Sequence, residues 1–218
     1  MTLSDQLAAA NSATRAQLPA PALAVIDRAT ATLTAADPTA GAVSVGDLAP
    51  SFELPNAIGQ TVRLADLLAQ GPVVLTFYRG GWCPYCSLEL KALQNALPAI
   101  TEAGARLVAI SPQTPDATLS TTEKKALTFD VLSDVGNVIA REYGLVFEVP
   151  ADLVEAYQGF GIDLEAANGD GTHELPMPAT FVIDIDGTVR YAFVDPDYTK
   201  RAEPADVLAA LDSLSVAV

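Results

Sequence analysis

The segment Gly71-Pro-Val-Val-Leu-Thr-Phe-Tyr-Arg-Gly-Gly-Trp-Cys-Pro-Tyr-Cys86 constrains the fold more than any other stretch of the chain. Residues 72–78 are a nearly unbroken apolar run with β-branched and aromatic side chains, the pattern of a strand covered on both faces. Such a strand belongs at the centre of a sheet. Beyond the glycines at 80 and 81, Leu90, Leu93, Leu97 and Ile100 recur at helical spacing until Gly104, with Pro98 expected to kink the helix. The chain's two cysteines, Cys83 and Cys86, therefore fall at a strand-to-helix turn, at the carboxyl edge where open α/β sheets place their sites.

That position has chemical consequences. The unpaired N–H groups and dipole at a helix start stabilise a thiolate, lowering a thiol pKa from about 8.5 to roughly 3.5–7.5 in known cases. Pro84 fits the first helical turn, where its missing N–H costs nothing. Residues three apart on a helix lie roughly 5–6 Å apart, within the Cα range of a disulfide, so the pair can oxidise reversibly with little backbone motion. The same spacing could be half a zinc site, but zinc wants three or four ligands and the chain has one His. Two inert buried cysteines would need neither Pro84 nor a helix start.

Half of the 218 residues are apolar and 18% are charged, enough to bury a full core within one domain carrying an extension. Twelve Lys and Arg against 27 Asp and Glu leave a net charge of −15, which argues against a nucleic-acid or anionic-lipid partner. Every apolar run falls far short of the roughly 18 residues of a membrane span. The N-terminus does not look like a signal peptide, and two cysteines cannot make a disulfide framework, so a cytoplasmic location is expected.

Residues 1–40 read as a helical N-terminal extension of two short helices, the first with Leu3, Leu7 and Ala10 and the second with Leu23, Ile26 and Leu33. They lie outside the main domain, residues 41–218, and either pack on it or make a dimer contact. Phe52 and Leu54, then Val62 and Leu64, alternate as a hairpin. Residues 106–110 and 129–132 read as strands, and helices are expected from Pro115 to Ala126, Val135 to Tyr143 and Ala151 to Gly159. The segment AANGDGTHELPMP reads as a polar loop. Residues 180–185 and 188–194 join at Asp186-Gly187 as a hairpin, and Pro204 opens a last helix. This order implies an α/β sheet with parallel crossovers and an antiparallel pair at the end: a thioredoxin-like fold, with a central mixed sheet flanked by helices.

The runs 45–52 and 71–86, with Leu132-Ser-Asp134, Tyr143-Gly144 and Pro178-Ala-Thr-Phe-Val-Ile-Asp184, resemble the peroxiredoxins of the AhpC/TSA family, most nearly a subgroup carrying a thioredoxin-style Cys-x-x-Cys. The resemblance covers about residues 43–214 and implies a thiol-dependent peroxidase acting on hydrogen peroxide or alkyl hydroperoxides. It implies no metal or organic cofactor and an external dithiol reductant such as a thioredoxin-type protein. The chain would be a monomer or homodimer.

Aligned on the family's Pro-x-x-x-Thr/Ser-x-x-Cys motif, Cys86 takes the peroxidatic place, with Arg79 at the Pro, Cys83 at the Thr or Ser, and Pro178 where a distant Arg is expected. Pro178 instead resembles the cis-proline that faces the cysteines in thioredoxins. That would make Met177 and Pro178 a wall of the site, with Trp82, Pro84 and Tyr85 around the thiols and Arg79 compensating for the missing arginine. Thioredoxin logic would give protein disulfides to Cys83; peroxide goes to Cys86. His173 could move protons or be a solvated loop residue. Ser111 to Thr114 could line the pocket, and Asp184 and Asp186 read as hairpin ends. Alternative functions are a thioredoxin-like disulfide oxidoreductase and a non-enzymatic redox sensor.

Overall fold

The computed structural model describes residues 1–36 and 38–215. Helices α1 (Leu3–Gln17) and α2 (Ala20–Ala35) open the chain, followed by a 3₁₀ turn at Pro38–Gly41. The hairpin β1 (Glu53–Pro55) and β2 (Thr61–Arg63) leads through α3 (Leu64–Leu68) to β3 (Val73–Phe77) and α4 (Pro84–Glu102). Next come β4 (Arg106–Ser111), α5 (Pro115–Lys125), β5 (Asp130–Ser133), α6 (Val138–Glu142), β6 (Val146–Glu148), α7 (Ala151–Gly159), α8 (Leu164–Asn168) and β7 (Glu174–Pro176). The chain ends in the hairpin β8 (Ala179–Ile183) and β9 (Val189–Val194) and helix α9 (Pro204–Ser215).

The main sheet runs β5-β4-β3-β8-β9, so the apolar run at 72–78 is central. Strand β3 pairs parallel with β4 and antiparallel with β8; β4 and β5 are parallel and β8 and β9 antiparallel. Alternation divides this strand between two cores. Val73, Leu75 and Phe77 face a cluster with Leu132, Tyr143 and Phe181, while Val74 and Tyr78 face a second with Cys83, Cys86, Leu90 and Leu93.

Two local readings change. The helix expected from Val135 begins only at Val138, because Gly136 and Asn137 both hold positive φ and the Asp134 carboxylate accepts the first free N–H groups, from Ile139 and Ala140. The loop expected at 166–178 starts in α8 and contains β7, which pairs antiparallel with β6. Elements of three to five residues are too short to show a period. The N-terminal helices pack on the main domain, the first of the two arrangements expected for them: Leu3 and Leu7 are buried in the core that holds both cysteines, and α1 packs on α4. The N-terminus of α1 is tied down by Glu203, whose carboxylate accepts from Leu3 and Ser4 N–H at 3.1 and 2.6 Å.

Candidate active site

Cys83 is the N-cap of α4 and Pro84 its first residue, so both thiols stand at the positive end of a 19-residue helix. Both are enclosed, Cys83 at 1% exposure and Cys86 at 0%. The Gly80-Gly81 approach is held by Gln113, whose Oε1 accepts from Gly81 N–H at 2.8 Å and from Thr121 Oγ1 at 3.3 Å. Of the segment Ser111 to Thr114, Gln113 thus supports the site's entry turn, and Thr114 caps α5.

Two buried guanidiniums flank the thiols. Arg201, in the loop before α9, donates from Nη2 to Cys86 Sγ at 3.4 Å and from Nε to Glu89 Oε2 at 2.7 Å. Glu89 follows Cys86 by one turn of α4 and faces Thr76 across a 3.5 Å contact. Arg79 is held differently. It donates from Nη2 to the Tyr157 hydroxyl, and its guanidinium carbon lies 4.5 Å from the Tyr198 ring centroid and 5.2 Å from that of Trp82. Among the described residues Arg79 makes no ion pair with a carboxylate.

A buried cation without a counter-charge is costly, and the thiols are the groups able to supply one. Burial opposes the Cys83 thiolate, but a hydrogen bond from the Cys86 thiol and the charges of Arg79 and Arg201 outweigh it, bringing Cys83 down to about 5. Burial, with the neighbouring Cys83 thiolate, pushes Cys86 well above its ordinary value. Both directions favour the thiolate on Cys83 and the neutral thiol on Cys86. Burial raises Glu89 as well, against the pull of Arg201, to about 7.

A cavity of about 300 Å³ reaches Cys83 between α1, α2, α7 and the loop at Tyr198, lined also by Arg79, Trp82, Pro84 and Tyr85. Tyr85 donates its hydroxyl proton to Asn11 Oδ1 at 3.1 Å, tying the cysteine helix to α1, and Trp82 packs on Tyr157 at 5.6 Å between centroids. Pro178 lines a neighbouring cavity with Arg79 and Tyr198.

Met177 does not join the site. It shares its parity with Ala179, Phe181 and Ile183 and so packs in the core on the other side of the sheet from the cysteines. The described residues contain no cis peptide bond, which corrects the expected cis Met177–Pro178. His173 lies in the loop before β7, where its carbonyl accepts from Val149 N–H, and it does not line the cysteine cavity. Asp184 and Asp186 pair with Arg190 at the hairpin turn.

The family model described as AhpC/TSA matches residues 45–192. The chain belongs to the AhpC/TSA family. It is 28% identical over 153 residues to the protein named peroxiredoxin Bcp of Escherichia coli, covering 70% of this chain and 86% of that one. It is 32% identical over 151 residues to chloroplastic peroxiredoxin Q of Gentiana triflora, covering 69% and 59%. Among solved structures, peroxidoxin BcpB of Mycobacterium tuberculosis superposes with a TM-score of 0.62 at 25% identity, over 79% of this chain and 98% of that one. The bacterioferritin comigratory protein of Xanthomonas campestris, studied for its alkyl peroxide reduction activity, shares the fold with a TM-score of 0.57 at 19% identity, over 75% and 91%.

Against the AhpC/TSA motif, the residues missed by sequence reasoning are Arg201, Glu89, Tyr157 and Tyr198. Glu89 carried a signal, a carboxylate on the apolar stripe of α4 one turn after Cys86. Arg201 carried none, being 115 residues from the thiol it touches.

Proposed function

We infer that this chain is a thiol-dependent peroxidase in which Cys83 attacks the peroxide and Cys86 resolves the product. The observation that carries the assignment is Arg79, a buried guanidinium without a carboxylate partner, beside the one cysteine of the pair that lines the cavity. The Cys83 thiolate attacks one peroxide oxygen. The S–O bond forms as the O–O bond breaks, giving sulfenic acid on Cys83 and, after protonation of the leaving oxygen, water or an alcohol. The Cys86 thiol then attacks the Cys83 sulfur, the S–O bond breaks, water leaves and the disulfide forms. An external thiol reductant returns two electrons and two protons. Arg79 supports the first step by holding the thiolate and the charge that develops on the leaving oxygen.

This reading reverses the roles that motif alignment alone assigns. Cys86 carries Arg201 at hydrogen-bond distance but lies behind Cys83, and burial favours its neutral form. The enclosure of both thiols under α1 and α2 favours a small oxidant, hydrogen peroxide or an alkyl hydroperoxide, over a folded protein disulfide.

Dimedone trapping separates the roles. In Cys86→Ser, one equivalent of peroxide leaves a dimedone adduct on Cys83, and in Cys83→Ser the rapid first turnover is lost. A fast first turnover in Cys83→Ser with the adduct on Cys86 restores the alignment-based assignment.

A further inference from the structure

The family match begins at residue 45, yet the outer wall of the cysteine cavity comes from residues before it. Leu18 closes the C-terminal end of α1, and Leu23 and Ile26 stand on α2; with Phe160 and Ile162 after α7 they form an apolar passage whose inner end is Cys83. The charged side chain on the outer wall, Arg15, is held by Asp27 through two hydrogen bonds of 2.7 and 2.9 Å. The inner end is polar in a different way. Arg79 Nε and Trp82 Nε1 are buried donors without acceptors. A buried donor left unpaired is costly, so such groups beside a reactive thiol favour an oxygen-bearing ligand.

The passage is therefore polar at the thiol end and apolar along its length. We propose that the N-terminal helical pair is a specificity element that selects organic hydroperoxides with an apolar tail, the two oxygens lying against Cys83, Arg79 and Trp82 and the tail along Leu18, Leu23 and Ile26. This rests on the peroxidase reading with Cys83 as the attacking thiol. All three side chains are partly exposed; Leu18 and Leu23 stand outside the core clusters, whereas Ile26 also packs on the core of Leu153 and Tyr157, so Ile26→Asn is read beside Ile26→Val. They bind no part of hydrogen peroxide, which has no tail.

The test follows the first turnover of the pre-reduced, full-length protein, which needs no reductant. Trp82, the only tryptophan, lies next to Cys83 and reports oxidation by fluorescence. Rate constants are measured for hydrogen peroxide, tert-butyl hydroperoxide, cumene hydroperoxide and a linoleic acid hydroperoxide in the unsubstituted protein and in Leu18→Asn, Leu23→Asn and Ile26→Asn. The unsubstituted protein is expected to prefer the longer apolar tails. Each variant is expected to lower the ratio of the fatty-acid to the hydrogen peroxide rate constant by about fivefold or more, the equivalent of one or two buried methylenes. Leu18→Met and Ile26→Val, which keep the wall apolar, are expected to retain the ratio and guard against a folding defect in the polar variants. A ratio unchanged in all three polar variants, or no preference for longer tails, overturns the proposal while leaving the peroxidase reading standing. No reaction of the unsubstituted protein with any of the four peroxides overturns both.

Discussion

Arg201 Nε donates to Glu89 Oε2 at 2.7 Å, and the two residues are buried at 4% and 1% exposure. Two charges taken from water are compensated by each other, by the carbonyl of Lys200 at 2.6 Å from Arg201 Nη1, and by Cys86. Removing one partner strands the other. Arg201→Met is expected to cost about 3–5 kcal/mol in urea unfolding, and the double variant Arg201→Met with Glu89→Met to recover much of it. The cost depends on pH with a definite sign. The folded-state pKa of Glu89, about 7, is raised above its ordinary value of 4.5, so its contribution to stability is fully present below 4.5 and lost as pH rises through about 7. Without Arg201 the ionised carboxylate is more costly still, so the loss in Arg201→Met is expected to be larger at pH 8 than at pH 5; an equal loss at both would contradict the buried pair.

With Cys83 lowered to about 5, the thiolate is present above that pH and disappears below it. The first-turnover rate constant is expected to be flat from about pH 6 to 8 and to fall toward tenfold per unit below about pH 5. Arg79→Met removes one of the two cations that lower this pKa. The profile is expected to move upward by about one unit or more, with a matching loss of rate at pH 6, read by stopped-flow fluorescence. A profile that stays in place while the rate falls would limit Arg79 to contacts with the peroxide.

Oxidation removes the thiolate and leaves Arg79 without its counter-charge. A disulfide across two intervening residues restrains little unfolded-chain entropy in return. The reduced protein is therefore expected to be the more stable form at pH 7, by a few kcal/mol, seen as a thermal midpoint above that of the oxidised protein by roughly 5 °C or more. Arg79→Met is expected to narrow the gap. A higher midpoint for the oxidised protein would mean that Arg79 does not depend on the thiolate.

Gly144 holds φ at +69°, and a Cβ there would stand 2.1 Å from the Gly41 carbonyl oxygen. This close approach seats the 3₁₀ turn on the end of α6, where Val43 N–H also donates to the Tyr143 carbonyl at 3.1 Å. Gly144→Ala is expected to cost about 2–6 kcal/mol of unfolding free energy, read by denaturant unfolding, from the backbone conformation and the overpacking together. Gly136→Ala, at a φ of +80° with open space around it, is expected to cost less.

Much was legible in the chain itself because it is written locally. The apolar run at 72–78 and the Asp186-Gly187 turn specify strands through side-chain type alone, and Cys83-Pro84-Tyr85-Cys86 places two thiols at a helix start whatever surrounds them. The short elements around residues 138–176 were less legible, since three to five residues carry no period and their ends are set by the caps and partners they meet.

The sheet's central strand, the helix that follows it and the redox-capable pair between them are set by local sequence, because each depends on neighbours within a few residues. How that pair is charged depends instead on long-range contacts. Arg201 reaches Cys86 across 115 residues, Tyr157 holds Arg79 across 78, and Asn11 and Leu7 bring α1 onto the cysteine helix. The same holds for Met177, which one step of strand parity sends away from the thiols. A buried thiol's protonation depends on every charge packed around it, and those charges are adjacent only in the folded chain.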